Sequence, residues 1–548
     1  MRVGVKYKNW RARSPKTPKA IEDVASIIHE NRDFTEIAKL DYGNAGLDAA
    51  FSAISQAIHQ KKMIALYADY DVDGTMSCVS WLWFFKGIGY PHVTYYIPDR
   101  FKEGYGVNLE AIKFLVQEKK AELIITMDTG ITANTEAAWC KSQGVEFICT
   151  DHHKIQKDKM PDCIILNPKL HPDPLYQELC GCGITFVLLR KLGQVFSLPL
   201  DVWTDILALT GMATICDVVP LNGVNHKLAQ LGVGALMRSK REVIRKLFKA
   251  CTIQMEQVDE QDVGFKLGPR INAVGRLEHA HLVIEAFAQE NPDYLISHMD
   301  KCNERRKSIQ ADIVDEAREK AKLYPDDPIL FLGGDWHQGV VGIAASKIAE
   351  EFWKPVWLFN NQGALCKGSS RSIPHFDVTE AMTQVADSFV KFGGHKAAGG
   401  FSFHPDQEAS IRAGLNAYAR GIYNQDPKVW DSLIYYDCEL DSDFLGLSLL
   451  DHLEKLRPFG HSFEEPIFFL RQRIDEVRFY NDKKTKKPKH TAVFVKGIGQ
   501  KAEKIMFFNQ VLLDLESVER AKFLVSLSKN TYQGKTSLSL IGKDYAQI

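Results

Sequence analysis

No apolar run of about 18 residues or more occurs anywhere in the 548-residue chain, so no segment is suited to a transmembrane helix. The N-terminus, MRVGVKYKNWRARSPKTPKA, is basic but lacks the apolar stretch of a secretory signal. The 11 cysteines are odd in number, irregularly spaced and without a CxxC pair, and CGC at 180–182 is too tight for a zinc knuckle. Buried thiols in a reducing compartment are expected instead, and with them a cytoplasmic location. Repeats and low-complexity tracts are also missing. Net charge is only −1, which offers no global argument for a polyanionic partner.

What the chain does have is four acidic clusters, each at the end of an apolar run: DYDVDG (69–74), MDTG (127–130), TDHH (150–153) and CDVVP (216–220). The first three runs have strand length and helical patterns intervene, which predicts a parallel α/β sheet. In such sheets the carboxyl ends of the strands form the ligand crevice. Asp71, Asp73, Asp128, His152 and Asp217 are expected to converge there. So many carboxylates repel one another unless cations neutralise them, so the pattern predicts a metal site, and a two-metal one. An EF-hand loop is excluded, because a strand precedes Asp69 and the twelfth position is Ser80. DVDGT also fits a haloacid-dehalogenase-type phosphatase with Asp71 as nucleophile, but that reading leaves Asp69 and TDHH unexplained. In TDHH, strand alternation would aim His152 at metal and His153 at a supporting or substrate-phosphate contact.

Size predicts several domains. The pattern divides into a helical lead-in (1–50), an α/β catalytic domain (51–282), a charged connecting helix (283–325), a second α/β domain (326–434) and a run of short β segments (435–548). The last spacing suits an oligonucleotide-binding (OB) barrel. Within 222–280, GFKLGPRINAVGRL reads as a loop that interrupts helix. The stretch 471–490 is basic with interleaved aromatics. Lys483, Lys484, Lys486 and Lys487 suit a surface that tracks phosphates, against the plainer reading of a solvated hairpin.

The ordered set DYDVDG, MDTG, TDHH and CDVVPL resembles the motifs of the DHH phosphoesterase superfamily. With LCGCGITFVLLRKL, LGPRINAVGRL, DWHQGVVGIAASKIAEEFWKPV, KGSSRSIPHFDVTEAM, FGGHKAAGGFSF and RPFGHSFEEPIF, it resembles the RecJ family from about Asp41 onward. Ala68 stands where a glycine usually precedes DYD, and Cys216 is unusual beside Asp217. The resemblance implies a parallel-sheet DHH domain, a connecting helix, a DHH-associated domain and an OB-like barrel. It also implies single-strand-specific 5′→3′ DNA exonuclease activity with two Mn²⁺ or Mg²⁺ ions, releasing 5′-mononucleotides in repair and recombination. Asp71, Asp73, Asp128, His152 and Asp217 would hold the ions, supported by Asp69, Asp151 and His153. Ser369, Ser370, Arg371, Gly393, Gly394, His395, Arg270 and Arg276 would take phosphate, and Arg100 and Tyr105 would line the strand path. The expected partners are single-stranded DNA, a single-strand-binding protein and a helicase; the protein would act as a monomer, away from membranes. A non-catalytic DNA-binding scaffold of the same superfamily is the alternative, but such a protein would have lost ligands that are intact here.

Overall fold

Residues 1–50 were expected to be a helical lead-in, yet Asn9–Ala12 form a strand, β1, paired in parallel with Leu433–Tyr436. Asp544 supplies the reason. Its buried carboxylate accepts from the backbone N–H groups of Val5, Lys6 and Tyr7 and from Trp10 Nε1, at 2.8–3.0 Å. Helix α1 (Ile21–Asn31) follows, then α2 (Ala45–His59), capped by the Asn44 side chain on Leu47 N. The computed structural model describes residues 4–37, 40, 42–482, 485–496, 502–532 and 535–548. The chain divides into one compact unit of Phe34–Arg306 with Arg457–Glu464, and another of Met1–Asp33, Lys307–Leu456 and Glu465–Ile548.

In the first unit, β2 (Ile64–Ala68), β3 (Val93–Tyr96), β4 (Leu123–Met127), β5 (Glu146–Thr150) and β6 (Ile164–Leu166) form a parallel sheet in the order β3-β2-β4-β5-β6. Strands β2 and β4 are buried at every position, as strands covered on both faces must be. The connecting helices are α3 (Val72–Gly87), α4 (Leu109–Gln117) and α5 (Asn134–Ser142). Buried Trp81, Phe84 and Phe85 of α3 anchor the main core. Ala68 pairs with Met127 and Met127 with Thr150, so Asp69, Asp128 and Asp151 follow three adjacent strand ends.

Helices α6 (Gly181–Val195), α7 (Leu200–Cys216), α8 (Gly223–Arg238) and α9 (Glu242–Ala250) come next. The fourth apolar run lies inside α7, and Asp217 is that helix's C-cap. The GFKLGPRINAVGRL segment is helical, not a loop: α10 (Glu260–Asp262) leads through a π-helical turn at Val263–Leu267 into α11 (Gly268–Leu277). Pro269 directly follows the π-helical turn, where the widened hydrogen-bond ladder accommodates a residue with no N–H to donate. The glycines permit close approach, since a Cβ on Gly268 would lie 2.4 Å from Cys216 Sγ and one on Gly275 2.7 Å from the Tyr70 carbonyl oxygen. The helix expected from Val283 onward is also interrupted. Pro292 separates α12 (His281–Ala288) from α13 (Asp293–Ala321), because proline removes a donor and keeps the preceding residue extended. The unit boundary falls within α13, after Arg306.

The second unit holds β7 (Leu330–Gly334), α14 (Gln338–Phe352), β8 (Val356–Asn360), β9 (Cys366–Arg371), α15 (Val378–Thr383), β10 (Lys391–His395), β11 (Ala398–Phe403) and α16 (Glu408–Gln425). Its sheet runs β10-β11-β9-β8-β7 over a core that includes Phe331, Trp357, Phe359 and Phe403. After β12 (Leu433–Tyr436), β13 (Cys438–Glu439) and α17 (Leu447–Glu454) come β14 (Phe468–Asn481), β15 (Pro488–Lys496), β16 (Ala502–Phe507), β17 (Arg520–Tyr532) and β18 (Lys535–Gln547). The ring β14-β15-β16-β18-β17 closes on β14, which is a five-stranded OB-type barrel. Among the described residues no helix is long and apolar enough to cross a membrane. The cysteines are all free and most are buried.

Asp544→Ala should cost roughly 2–4 kcal/mol, because it leaves several donors to a charged acceptor unsatisfied. Denaturant unfolding of the variant, followed by tryptophan fluorescence, measures this; hydrogen exchange should rise first at residues 4–12.

Candidate active site

The sheet edge and two helix starts build the site. Asp71 caps α3, accepting from Asp73 N at 2.9 Å and Gly74 N at 3.1 Å. Asp73, one residue into the helix, is fully buried and accepts from the first two N–H groups of α6, Gly181 at 2.5 Å and Cys182 at 2.8 Å. A helix start is a natural anion seat. Gly181 has to be glycine, since a Cβ there would meet Asp128 Cβ at 2.8 Å and Asp73 Oδ2 at 2.9 Å. The role of CGC at 180–182 is thus to hold a carboxylate through its backbone.

His152 Nε2 lies 3.1 Å from Asp128 Oδ1, 3.6 Å from Asp217 Oδ2 and 3.9 Å from Asp73 Oδ2. His153 pairs with Asp151: Nδ1 is 2.7 Å from Asp151 Oδ1, and the Tyr105 hydroxyl is 3.0 Å from Nε2. Asp151 also accepts from Ile131 N at 2.9 Å and His153 N at 3.0 Å. Three sets of donor atoms are close enough to share an ion: Asp73, His152 and Asp217; Asp69, Asp71 and Asp128; and Asp128, His152 and His153. Asp128 and Val218 both hold left-handed backbone (φ 59°), a strained choice for a β-branched valine.

Burial and then the neighbouring carboxylates push Asp69, Asp128 and Asp217 far above the usual carboxylate range, and the same causes raise Asp73 to about 6. Asp151 is lowered: burial opposes its charge, but His153 and the Ile131 N–H overcome it. His153 is correspondingly raised, the Asp151 hydrogen bond and charge outweighing burial. Asp69 Oδ1 and Asp128 Oδ1 are buried without a hydrogen-bond partner. Repelled carboxylates with idle oxygens beside an imidazole fit Mn²⁺ or Mg²⁺, hard ions that take oxygen and tolerate nitrogen.

A cavity of about 290 Å³ opens over these groups, its wall completed by Tyr70, Arg100, Tyr105, Cys216, Asn272, Gly275 and Arg276. Arg100 lies over the Tyr70 ring at 5.0 Å, and Asn272 Oδ1 accepts from Val72 N at 3.1 Å. Tyr70, Asn272 and Gly275 went unselected in the sequence, although PRINAVGR contained two of them. Arg270, expected beside Arg276, is engaged elsewhere: Nε donates to Asp300 Oδ1 at 2.8 Å and Nη1 to Lys266 O at 3.0 Å.

In the second unit, Ser369 and Arg371 share one face of β9. Arg371 Nε donates to Ser346 Oγ of α14 at 3.0 Å, and a Cβ on Gly342 would meet Arg371 Nη2 at 3.1 Å and Ser369 Oγ at 3.2 Å. Ser370 corrects the expectation, because strand alternation turns it to the opposite face, where its buried hydroxyl donates to Gly399 O at 3.3 Å. Gly393, Gly394 and His395 form the exposed edge strand β10, paired with Gly400, Gly399 and Ala398. On the barrel, Lys486 and Lys487 are exposed in the β14–β15 hairpin; Lys483 and Lys484 lie outside the described residues. A larger groove of about 870 Å³ beside them is lined by Tyr480, Lys489, His490, Lys504 and Phe508.

Three families match in order along the chain: "DHH family, N-terminal domain" over 63–213, "DHHA1 domain" over 326–421 and "RecJ OB domain" over 436–544. The single-stranded-DNA-specific exonuclease RecJ of Dickeya dadantii is 30% identical over 90% of this chain and 89% of its own length. The chain belongs to the RecJ family. The Bacillus subtilis RecJ is 33% identical, and the match spans 80% of this chain but 56% of that protein. The crystal structure of RecJ from Thermus thermophilus in complex with Mn²⁺ superposes with a TM-score of 0.84 at 25% identity, covering 98% of this chain and 80% of that one. RecJ membership removes the haloacid-dehalogenase reading. The carboxylate that would be phosphorylated, Asp71, is instead tied to two N–H groups as a helix cap.

The crowded carboxylates oppose folding above the unfolded carboxylate range: their raised folded values mean that the native state binds more protons, so stability falls as pH rises. Asp128→Asn should therefore raise the melting temperature in chelator at neutral pH, by roughly 2–4 °C per kcal/mol of relieved repulsion. It should also lose most of the stabilisation that Mn²⁺ gives the wild type. Calorimetry in EDTA and in Mn²⁺ measures both; a lower melting temperature in EDTA would contradict the repulsion.

Proposed function

We propose that this RecJ-family chain removes nucleotides from the 5′ end of single-stranded DNA by direct phosphodiester hydrolysis, in repair and recombination. The observation that carries the proposal is the cavity where Asp69, Asp71, Asp128 and Asp217 meet, with Asp73 and His152 against them and idle carboxylate oxygens inside. Asp71, Asp73, Asp128, His152 and Asp217 would hold two Mn²⁺ or Mg²⁺ ions, with Asp69 beside them. Such ions, when bound, supply an activated water and neutralise charge on the scissile phosphate.

The remaining steps belong to the protein. Asp151 fixes the His153 ring and favours its protonated form, so His153 can donate to a phosphate oxygen from the cavity wall. Tyr105 restrains the same ring. Arg100 and Arg276 would bind the backbone phosphates flanking the scissile bond. Ser369, Arg371 and the glycine hairpin at 393–395 would take the terminal phosphate. The barrel groove, with exposed Tyr480 and Phe508 among Lys489, His490 and Lys504, suits sequence-independent stacking and charge contacts. Action as a monomer in the cytoplasm, on strands delivered by a helicase and guarded by a single-strand-binding protein, completes the reading.

Asp128→Ala should lower turnover at least about 10²–10³-fold while leaving single-strand binding largely intact. Oligonucleotides labelled at either end, incubated with Mn²⁺, read both rate and polarity; mononucleotides released first from the 3′ end would refute the polarity.

Arg371→Ala should abolish the preference for 5′-phosphorylated over 5′-hydroxyl strands without changing Mn²⁺ affinity. An unchanged preference would move the phosphate pocket elsewhere.

A further inference from the structure

Outside the oxygen-rich centre, the first unit brings together a second and chemically different set of donors. Glu278 is the C-cap of α11, and α13 presents His298 and Cys302 four residues apart on one face. Glu278 reaches both: Oε2 is 2.7 Å from His298 Nε2, and Oε1 is 3.6 Å from Cys302 Sγ. One donor atom from each residue lies within 4.8 Å of the others. We propose that Glu278, His298 and Cys302 form a binding site for a thiophilic divalent cation, Zn²⁺ in chemical class, separate from the Mn²⁺ or Mg²⁺ centre.

The donor set argues for that class. Thiolate, imidazole and carboxylate together suit Zn²⁺, at about 2.0–2.3 Å per bond, and suit Mg²⁺ poorly. The donors also need little movement, since three ligands at such bond lengths around one tetrahedral ion stand roughly 3.3–3.8 Å apart. Cys302 is buried, whereas Glu278 and His298 are each about a third exposed, leaving solvent access for a fourth ligand. Without an ion the thiol stays protonated: burial and the Glu278 charge push it up to about 11, with Arg305 acting the other way. Binding would release that proton to solvent and place the thiolate on the cation, with no change in oxidation state. The ion would also replace the hydrogen bond between Glu278 and His298 by bonds joining the end of α11 to α13. Arg276, two residues before Glu278, lines the catalytic cavity, so occupancy would stiffen the segment that presents it.

Titration of the full-length, metal-stripped protein with Co²⁺ tests the site, because a cysteine ligand gives a thiolate-to-cobalt charge-transfer absorption that carboxylates cannot. The wild type should show that absorption, saturating by about three equivalents of Co²⁺ per chain because the catalytic centre also takes ions, and lose it when Zn²⁺ is added. Cys302→Ser and His298→Ala should each lose it, whereas Asp128→Ala should keep it, which separates this site from the catalytic centre. In Mg²⁺ without zinc, Cys302→Ser should retain wild-type exonuclease turnover, a check that the variant is folded. Absence of the absorption in the wild type, or its persistence in Cys302→Ser, would overturn the proposal.

Discussion

Mutual repulsion among carboxylates gathered past the carboxyl ends of one sheet's strands is the constraint around which the first unit is organised. Asp69, Asp71, Asp73, Asp128 and Asp217 could not share a crevice in a fold stabilised only by apolar packing. The chain manages part of the charge with backbone dipoles. The starts of α3 and α6 face Asp71 and Asp73, whose oxygens accept four N–H groups between them. Asp151 is managed differently, by pairing with His153. Asp69 and Asp128 each keep an oxygen that no protein donor satisfies. That residual imbalance is what a cation can relieve, so unliganded instability and affinity for metal have one origin. Trp81, Phe84 and Phe85, on the same helix as Asp73, are buried in the main core of this unit.

Elements whose evidence is local were legible in the sequence. The runs before Asp69, Asp128 and Asp151 are strands because short apolar segments bounded by helical patterns have few alternatives, and the parallel register then places their ends together. His152 and His153 lie past the end of β5, where His152 faces Asp128 and His153 pairs with Asp151. Other features depend on partners distant in sequence. Nothing near Val5 announces that Asp544 will collect its N–H, so β1 was hidden inside an apparent helical leader. The Gly-rich PRINAVGR segment looked like a loop because glycine usually marks turns. Here two glycines admit Cys216 and the Tyr70 carbonyl against a helix face.

Side-chain direction sets the limit for the site residues. Ser369, Ser370 and Arg371 are consecutive and chemically similar as phosphate ligands, but a strand can offer only alternate members to one face, and Ser370 faces Gly399. Arg270 and Arg276 are six residues apart in one motif, yet a helix turns them apart, toward Asp300 and toward the cavity. CGC carried a related lesson. Its chemistry lies in the N–H groups of Gly181 and Cys182, which no residue-type pattern displays.

Under the proposed function, the division into two units separates chemistry from grip. The proposed ligands to the ions all lie within Phe34–Arg306, whereas the barrel groove and the Ser369–Arg371 strand lie in the other unit. Contacts on the separate units would then act on a polymeric substrate as linked sites, so each would raise the effective concentration of the other. On that reading a long strand gains affinity without any change at the scissile phosphate, whereas a short one has only the first unit's contacts. Helix α13, 29 residues long, runs through one of the unit boundaries without a break. Under the proposed function, substrate length, more than base sequence, is therefore the variable that binding should follow.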